Sequence, residues 1–257
     1  MKQAILITGA ASGIGREVAR LFARRGWFTG LHDINEALLA ELAVEIGSER
    51  CCWSVLDVCD GEQWTQVVAR FGEHTSGRMD VLFNSAGILR MGPFIDIPLD
   101  VHLQTLRVNV AGVLTAIRAA FPLLSSTPKS RVITMSSASA FYGVPNLASY
   151  SMSKFAIRGM TEALSIEFER YGIAVCDIMA PYVNTPMVTD QSYKAGTLQS
   201  LGASLSPESV AEIVWKAAHG NKVHWVPTLS LKTTTLFARY FPFFERATMK
   251  FLNRHGS

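Results

Sequence analysis

The residues best able to do chemistry are Tyr150 and Lys154, in the run Tyr150-Ser151-Met152-Ser153-Lys154. Four apart on a helix, they stand one above the other on the same face. A free phenol, with a pKa of about 10, is a poor acid or base near neutral pH. An ammonium beside it favours the phenolate and lowers that pKa, so the pair could move a proton at working pH. The same spacing also arises on any amphipathic helix face, so its meaning depends on the other motifs around it.

A second stretch is suited to binding an anion. Thr8-Gly9-Ala10-Ala11-Ser12-Gly13-Ile14-Gly15 lies between an apolar run and a helical pattern. Glycines there let backbone approach a pyrophosphate, and the helix amino terminus offers free N–H groups and partial positive charge. The spacing is G-x-x-x-G-x-G, and a tight turn with no ligand is the plain alternative. Asp33 stands eighteen residues past Gly15, near the distance at which a carboxylate meets ribose hydroxyls in dinucleotide sites. It would repel a 2′-phosphate, and Ile34 supplies no arginine to receive one, so NAD is favoured; Arg16 and His32 speak for the other choice. Leu56-Asp57-Val58 and Asn84-Ser85-Ala86-Gly87 each close a later apolar run. Asp57 could meet the adenine amino group. Asn84 could touch the adenosine or tie the sheet together, and such residues also end strands in ordinary turns.

These segments must be held by elements of regular period. Apolar runs at Ala4–Ile7, Trp27–His32, Cys51–Leu56, Val81–Phe83, Arg131–Met135, Ile173–Ile178 and Val223–Val226 read as strands. Helical spacing falls at Ile14–Arg25, Ala37–Ile46, Trp64–Phe71, Val101–Leu124 and Tyr150–Arg170, and Ser206-Pro207-Glu208 opens another helix to about Ala218. Alternating strands and helices imply an α/β fold: a doubly wound, Rossmann-like parallel sheet with helices on both faces, in a single domain over 1–257. Such sheets bind ligands beyond the carboxyl ends of their strands, and Gly9, Asp33, Asp57, Asn84, Ser137 and Pro181 all follow strands.

Composition narrows the partners. The formal charge of +3 is too small to argue for nucleic acid. Cys51, Cys52, Cys59 and Cys176 have no metal-ligand spacing and read as reduced thiols, and no HExxH or Cys/His cluster implies a metal. The apolar stretch at the amino terminus is too short for a signal peptide and no uninterrupted apolar run reaches membrane-spanning length, so a cytoplasmic protein is expected.

Taken in order, the glycine turn, Asn84-Ser85-Ala86-Gly87, Asn109, Ser136-Ser137 and Tyr150-x-x-x-Lys154 resemble the short-chain dehydrogenase/reductase family in its single-domain form. The resemblance covers about Lys2 to Val226. It implies hydride transfer between a nicotinamide cofactor, NAD, and an alcohol or ketone carbon, with catalytic roles for Asn109, Ser137, Tyr150 and Lys154. Ser136 is the neighbouring candidate for the serine. Tyr150 would be the acid or base, Ser137 would hold the substrate oxygen, Lys154 would bond the nicotinamide ribose, and Asn109 would position a water linking Lys154 to solvent. The cofactor would meet Gly9, Ser12, Gly13, Ile14, Gly15, Asp33, Asp57, Val58, Asn84, Ala86, Gly87, Tyr150, Lys154, Pro181 and Thr185. Where the family has Pro-Gly, this chain has Pro181-Tyr182, which places a large ring beside the substrate.

The segment 186–206 corresponds to the family's variable lid. Met187, Val188, Tyr193, Leu198, Leu201 and Leu205 leave it few charges, which suggests an apolar substrate of steroid, retinoid or long-chain alcohol type, or a lid that simply packs down. The family also implies a homodimer or homotetramer built on the two long helices. Met160, Leu164 and Phe168 could face either the sheet or a partner. The tail, about 228–257, sets aromatics beside Lys232, Arg239, Arg246 and Lys250, with Pro242 dividing it. It suits either peripheral contact with a membrane surface or packing over the pocket. Two other functions remain: a dinucleotide-binding sensor or scaffold without turnover, and a nucleotide-sugar epimerase or dehydratase, for which the region after Pro181 is short.

Overall fold

The computed structural model describes residues 2–203, 205–228 and 243–253. Seven parallel strands form one sheet: β1 (Ala4–Thr8), β2 (Phe28–Asp33), β3 (Cys51–Val55), β4 (Val81–Asn84), β5 (Arg131–Met135), β6 (Ala174–Ile178) and β7 (His224–Trp225). Their order is β3-β2-β1-β4-β5-β6-β7. The chain starts at the centre, winds to one edge, returns, and winds to the other. That reversal between β1 and β4 opens a crevice at the strands' carboxyl ends.

Helices α1 (Gly13–Arg24), α2 (Glu36–Ile46) and α9 (Pro207–His219) cover one face. The opposite face carries α3 (Gly61–Thr75), α4 (Leu99–Leu106), α5 (Gly112–Ser126) and α6 (Ala148–Glu167). Val18 and Phe22 of α1 pack with Val210 and Val214 of α9 in the first core; Trp64, Phe71, Val113 and Ile157 fill the second. Ser206 caps α9 through the Ser209 N–H, 3.3 Å away, with Pro207 at its first turn, as its sequence predicts.

One expectation needs correction. The long helix near Val101–Leu124 is two helices joined by a π turn over Arg107–Ala111, which carries Asn109. By length and composition the joined segment Leu99–Ser126 could cross a membrane. No uninterrupted apolar run shows this, because polar residues punctuate it. One face of it packs against α3, α6 and β4, with 39% of the apolar window buried. Met160, Leu164 and Phe168 pack, partly buried, against the second core. All four cysteines are free, with Cys51, Cys52 and Cys176 buried.

The face under α3, α5 and α6 turns polar at its carboxyl-end row. Across the register, Ser54 stands beside His32, His32 beside Thr8, Thr8 beside Asn84, Asn84 beside Thr134, Thr134 beside Asp177 and Asp177 beside His224. His32 is buried, bonded through Nδ1 to Ser54, and burial holds its pKa down near 4, so it is a neutral core residue.

After β6 the chain forms α7 (Pro186–Thr189) and α8 (Gly196–Leu201), two short helices within the segment expected as a lid. A final helix, α10 (Phe243–Leu252), lies against α8: Ser200 donates to the Leu252 carbonyl at 2.7 Å. Leu236, Phe237, Tyr240, Phe241 and the expected break at Pro242 lie outside the described residues.

Candidate active site

The crevice is a cavity of about 370 Å³ running from Asp33 to Lys154. Its floor is the turn between β1 and α1. Gly9 takes φ +70°, and a Cβ there would press on backbone atoms of Ala86 at 2.8 Å. The Thr8 hydroxyl accepts from the Ser85 and Ala86 N–H groups, each 3.2 Å away, fixing the β4 turn beside the glycine turn. Ser12, Gly13 and Ile14 line the cavity at the start of α1, and the Ser12 side chain makes no capping bond. The amino end of a twelve-residue helix thus faces the cavity with its positive partial charge. Gly15 is not in the lining. It is buried, and a Cβ there would overlap the Gly9 carbonyl, so its function is close packing of helix on turn.

Asp33 closes one end. Its Oδ2 accepts from Ala11 N–H at 3.1 Å and its Oδ1 from Asn35 N–H at 3.0 Å, which fixes the carboxylate at the mouth beside exposed Ile34. Asp57 and Val58 form the neighbouring wall, with Asp57 Oδ1 accepting from Cys59 N–H at 2.9 Å. Ala86 and Gly87 line the middle. Asn84 is buried behind them and donates to Thr134 Oγ1 at 3.3 Å, the sheet-tying role rather than contact with the cavity. Thr185 lines the far end and meets Gly13, whose added Cβ would sit 3.1 Å from the Thr185 methyl.

Tyr150 and Lys154 also line the far end. The Lys154 ammonium lies 5.3 Å from the Tyr150 ring centroid and donates to the Met135 carbonyl at 2.8 Å. The lowered phenol pKa expected from the lysine is not the state of the protein alone. Burial pushes Tyr150 up to about 12, against a hydrogen bond from Ser137, and pushes Lys154 down to about 8. Burial dominates both shifts, and Nζ is held at the Met135 carbonyl. Of the two serines, Ser137 is the one that acts on the Tyr150 phenol, favouring its ionised form; Ser136 Oγ has no partner among the described residues.

Asn109 stands behind the cavity wall. Its Oδ1 accepts from Ile88 N–H at 2.8 Å, and its Nδ2 donates to the Ile88 carbonyl at 2.9 Å and Ser153 Oγ at 3.2 Å. With both amide ends engaged, its side chain fixes the Ile88 loop to α6.

A second cavity, about 90 Å³, opens from Ser137 and Tyr150 toward the lid. Pro181 lines this one, not the first, together with Tyr142, Val144, Tyr182, Val188, Thr197 and Leu201. The Tyr182 and Thr197 hydroxyls are 2.9 Å apart. Met187 lines both cavities. Tyr142 was not anticipated, although an aromatic between Ser137 and Tyr150 was a readable signal. Gln104 and Val108 were missed too, since nothing in their types marks them.

The first cavity's residues fit a dinucleotide: a helix amino terminus at the middle, a ribose-directed carboxylate at one end, and proton-active groups at the other. Comparison with known proteins agrees. The short chain dehydrogenase family model matches residues 3–195. The oxidoreductase UcpA of Salmonella typhimurium is 38% identical over 185 residues, 71% of this chain and 70% of that protein. A Burkholderia phymatum short-chain dehydrogenase/reductase crystallised with NAD superposes with a TM-score of 0.85 at 20% identity, covering 95% of each chain. A Burkholderia cenocepacia short-chain dehydrogenase crystallised with NADP gives 0.80 at 22% identity, covering 95% of this chain and 97% of that one. With motifs, fold and relatives in accord, this chain belongs to the short-chain dehydrogenase/reductase family of oxidoreductases.

Proposed function

We propose that the protein is an NAD(H)-dependent alcohol dehydrogenase or carbonyl reductase acting on an apolar substrate. The observation that carries this reading is the meeting of Ser137, Tyr150 and Lys154 where the two cavities join. The dinucleotide, when bound, supplies the hydride chemistry; the protein supplies position, charge and a proton.

Gly9, Ser12, Gly13 and Ile14 would hold the pyrophosphate, Asp33 the adenosine ribose, and Asp57 with Val58 the adenine. Lys154 and Thr185 would hold the nicotinamide end. Ser137 donates to the substrate oxygen and stabilises charge developing there. Tyr150 gives its proton to that oxygen in reduction and takes it in oxidation. Lys154 favours the phenolate once its ammonium is turned toward the ring, and Asn109 fixes the loop and helix that present these groups. Asp33 beside Ile34 supports NAD over NADP, because no arginine adjoins the carboxylate.

The second cavity supports the substrate class. Tyr142, Val144, Tyr182, Val188 and Leu201 supply apolar surface to its wall, and the polar groups that line it are neutral hydroxyls with no charged side chain. Exposed Leu114, Met152, Phe155 and Ile166 on α5 and α6 support a homodimer or homotetramer through those helices. The contact of α10 with α8 favours a tail packed on the lid over peripheral membrane contact. We place the enzyme in the cytoplasm.

The test is steady-state turnover of apolar alcohols and ketones with NAD(H), and the same assay on Tyr150→Phe. Loss of about a hundredfold or more is expected in the variant, with NADH binding retained. Substantial residual turnover would overturn the assigned role of Tyr150. NADH binding without turnover of any probe by the unaltered protein would favour a sensor.

A further inference from the structure

Behind the active site is a second cluster of charged groups. Asp177 lies in β6 and is fully buried, an unusual place for a carboxylate. Its Oδ1 lies 2.8 Å from His224 Nδ1 on β7. His224 Nε2 lies 3.2 Å from Glu162 Oε1 on α6, and Arg158 Nε donates to the same oxygen at 2.9 Å. Asp177 Oδ2 has no partner among the described residues.

The cluster joins Lys154 by two routes. Lys154, Arg158 and Glu162 are spaced at four and eight residues on α6, so they stand in one line along its face. Asp177 pairs with Thr134 across the sheet, one residue before the Met135 whose carbonyl accepts from Lys154. An asparagine at 177 could accept the same His224 bond without a charge being buried. What the carboxylate adds there is its charge.

We propose that Asp177, held by His224 and Glu162, is the buried counter-charge of the Lys154 ammonium and a positioning residue for the proton transfer at Tyr150. The role at Tyr150 rests on the active-site reading above; the counter-charge does not. Burial pushes the Asp177 carboxyl up, and His224 and Arg158 act against that push. Burial pulls Lys154 down, and the Asp177 carboxylate acts against that pull. The Asp177 bond raises His224, so the imidazolium persists to higher pH than usual. The charged groups facing this cluster are Arg158 and Glu162 from α6, His224 from β7, and Tyr150 beside Lys154. Arg131 and Cys176 alternate to the opposite face, where Arg131 donates to carbonyls of α9 and its following turn.

Removing the Asp177 charge disfavours the ammonium, so Lys154 should lose its proton at lower pH. The direct readout is carbon-13 NMR of the lysine ε-carbons in the full-length protein, with Lys154 assigned by its loss in Lys154→Arg. Asp177→Asn should move its inflection down by about one pH unit. Glu162→Gln, at a half-exposed position, should move it less in the same direction, and Arg158→Gln should move it the other way. These variants also serve if Asp177→Asn does not fold. The alkaline limb of kcat against pH should follow the inflection. A moved inflection with an unmoved limb would uphold the counter-charge and overturn its catalytic role. An unmoved Lys154 inflection in folded variants would overturn the counter-charge itself, leaving the cluster as a strand tie.

Discussion

At the dinucleotide end of the cavity, backbone packs on backbone; at the substrate end, side chains pack on side chains. Gly9 touches the Ala86 backbone and Gly15 the Gly9 carbonyl, so the turn at that end leaves no room for a side chain at either glycine. The substrate end is Tyr142, Val144, Tyr182 and Thr197 on loops and short helices, which can be altered without moving the sheet. The first arrangement fixes a ligand shape. The second leaves the same chemistry open to different substrates.

Gly15→Ala should break the comparison at its stiffer end and have the largest effect. The new methyl overlaps the Gly9 carbonyl, and that carbonyl cannot retreat while Gly9 is wedged against Ala86. Destabilisation of about 3 kcal/mol or more is expected, together with loss of NADH binding. Gly159→Ala is the control, since a Cβ there meets nothing within 4 Å and the site is a helix interior. It should stabilise by about 0.5–1 kcal/mol. Thermal melts of the two, with NADH fluorescence titrations, check both; a mild Gly15→Ala would mean that the turn yields.

The next effect in size sharpens the comparison at the Asp33 mouth. Asp33→Ala with Ile34→Arg replaces a repelling charge by an attracting one where a 2′-phosphate would lie. A change of a few kcal/mol in relative kcat/KM toward NADP is expected. Because Asp33 also accepts from Ala11 and Asn35, some loss with both cofactors should accompany it. Higher kcat/KM with NADP in the unaltered enzyme would refute the assignment.

The same contrast explains what could be read from the chain. Glycine spacing, strand runs and Tyr150-x-x-x-Lys154 reflect constraints that residue type alone expresses, and the sheet and cavity follow from them. Asn109 and Asn84 were placed in the site by motif; the Asn109 amide is taken up by Ile88 and Ser153 and the Asn84 Nδ2 by Thr134, pairings that only the packed helices and sheet create. Asp177 and His224 are 47 residues apart in the chain, and no local period links them. A carboxylate inside an otherwise apolar parallel strand was the available signal. The lid helices were unreadable because four- and six-residue helices have too few turns to show a period.

The smallest effect tests whether the substrate end really is adjustable. Tyr182→Phe keeps the ring in the pocket wall and removes only the hydroxyl that meets Thr197, itself buried on α8. One net hydrogen bond contributes about 1 kcal/mol, and leaving the Thr197 hydroxyl unpaired adds to the loss. The lid should therefore sit more loosely, and KM for bulky apolar ketones should rise several-fold. Turnover at saturation should hold, because the proton and the oxyanion contacts come from Tyr150 and Ser137. A short ketone that does not reach the lid should show no change in either constant. A fall in kcat for both substrates would mean that Tyr182 acts on the reacting atoms, and the division between a fixed chemical end and an adjustable substrate end would fail.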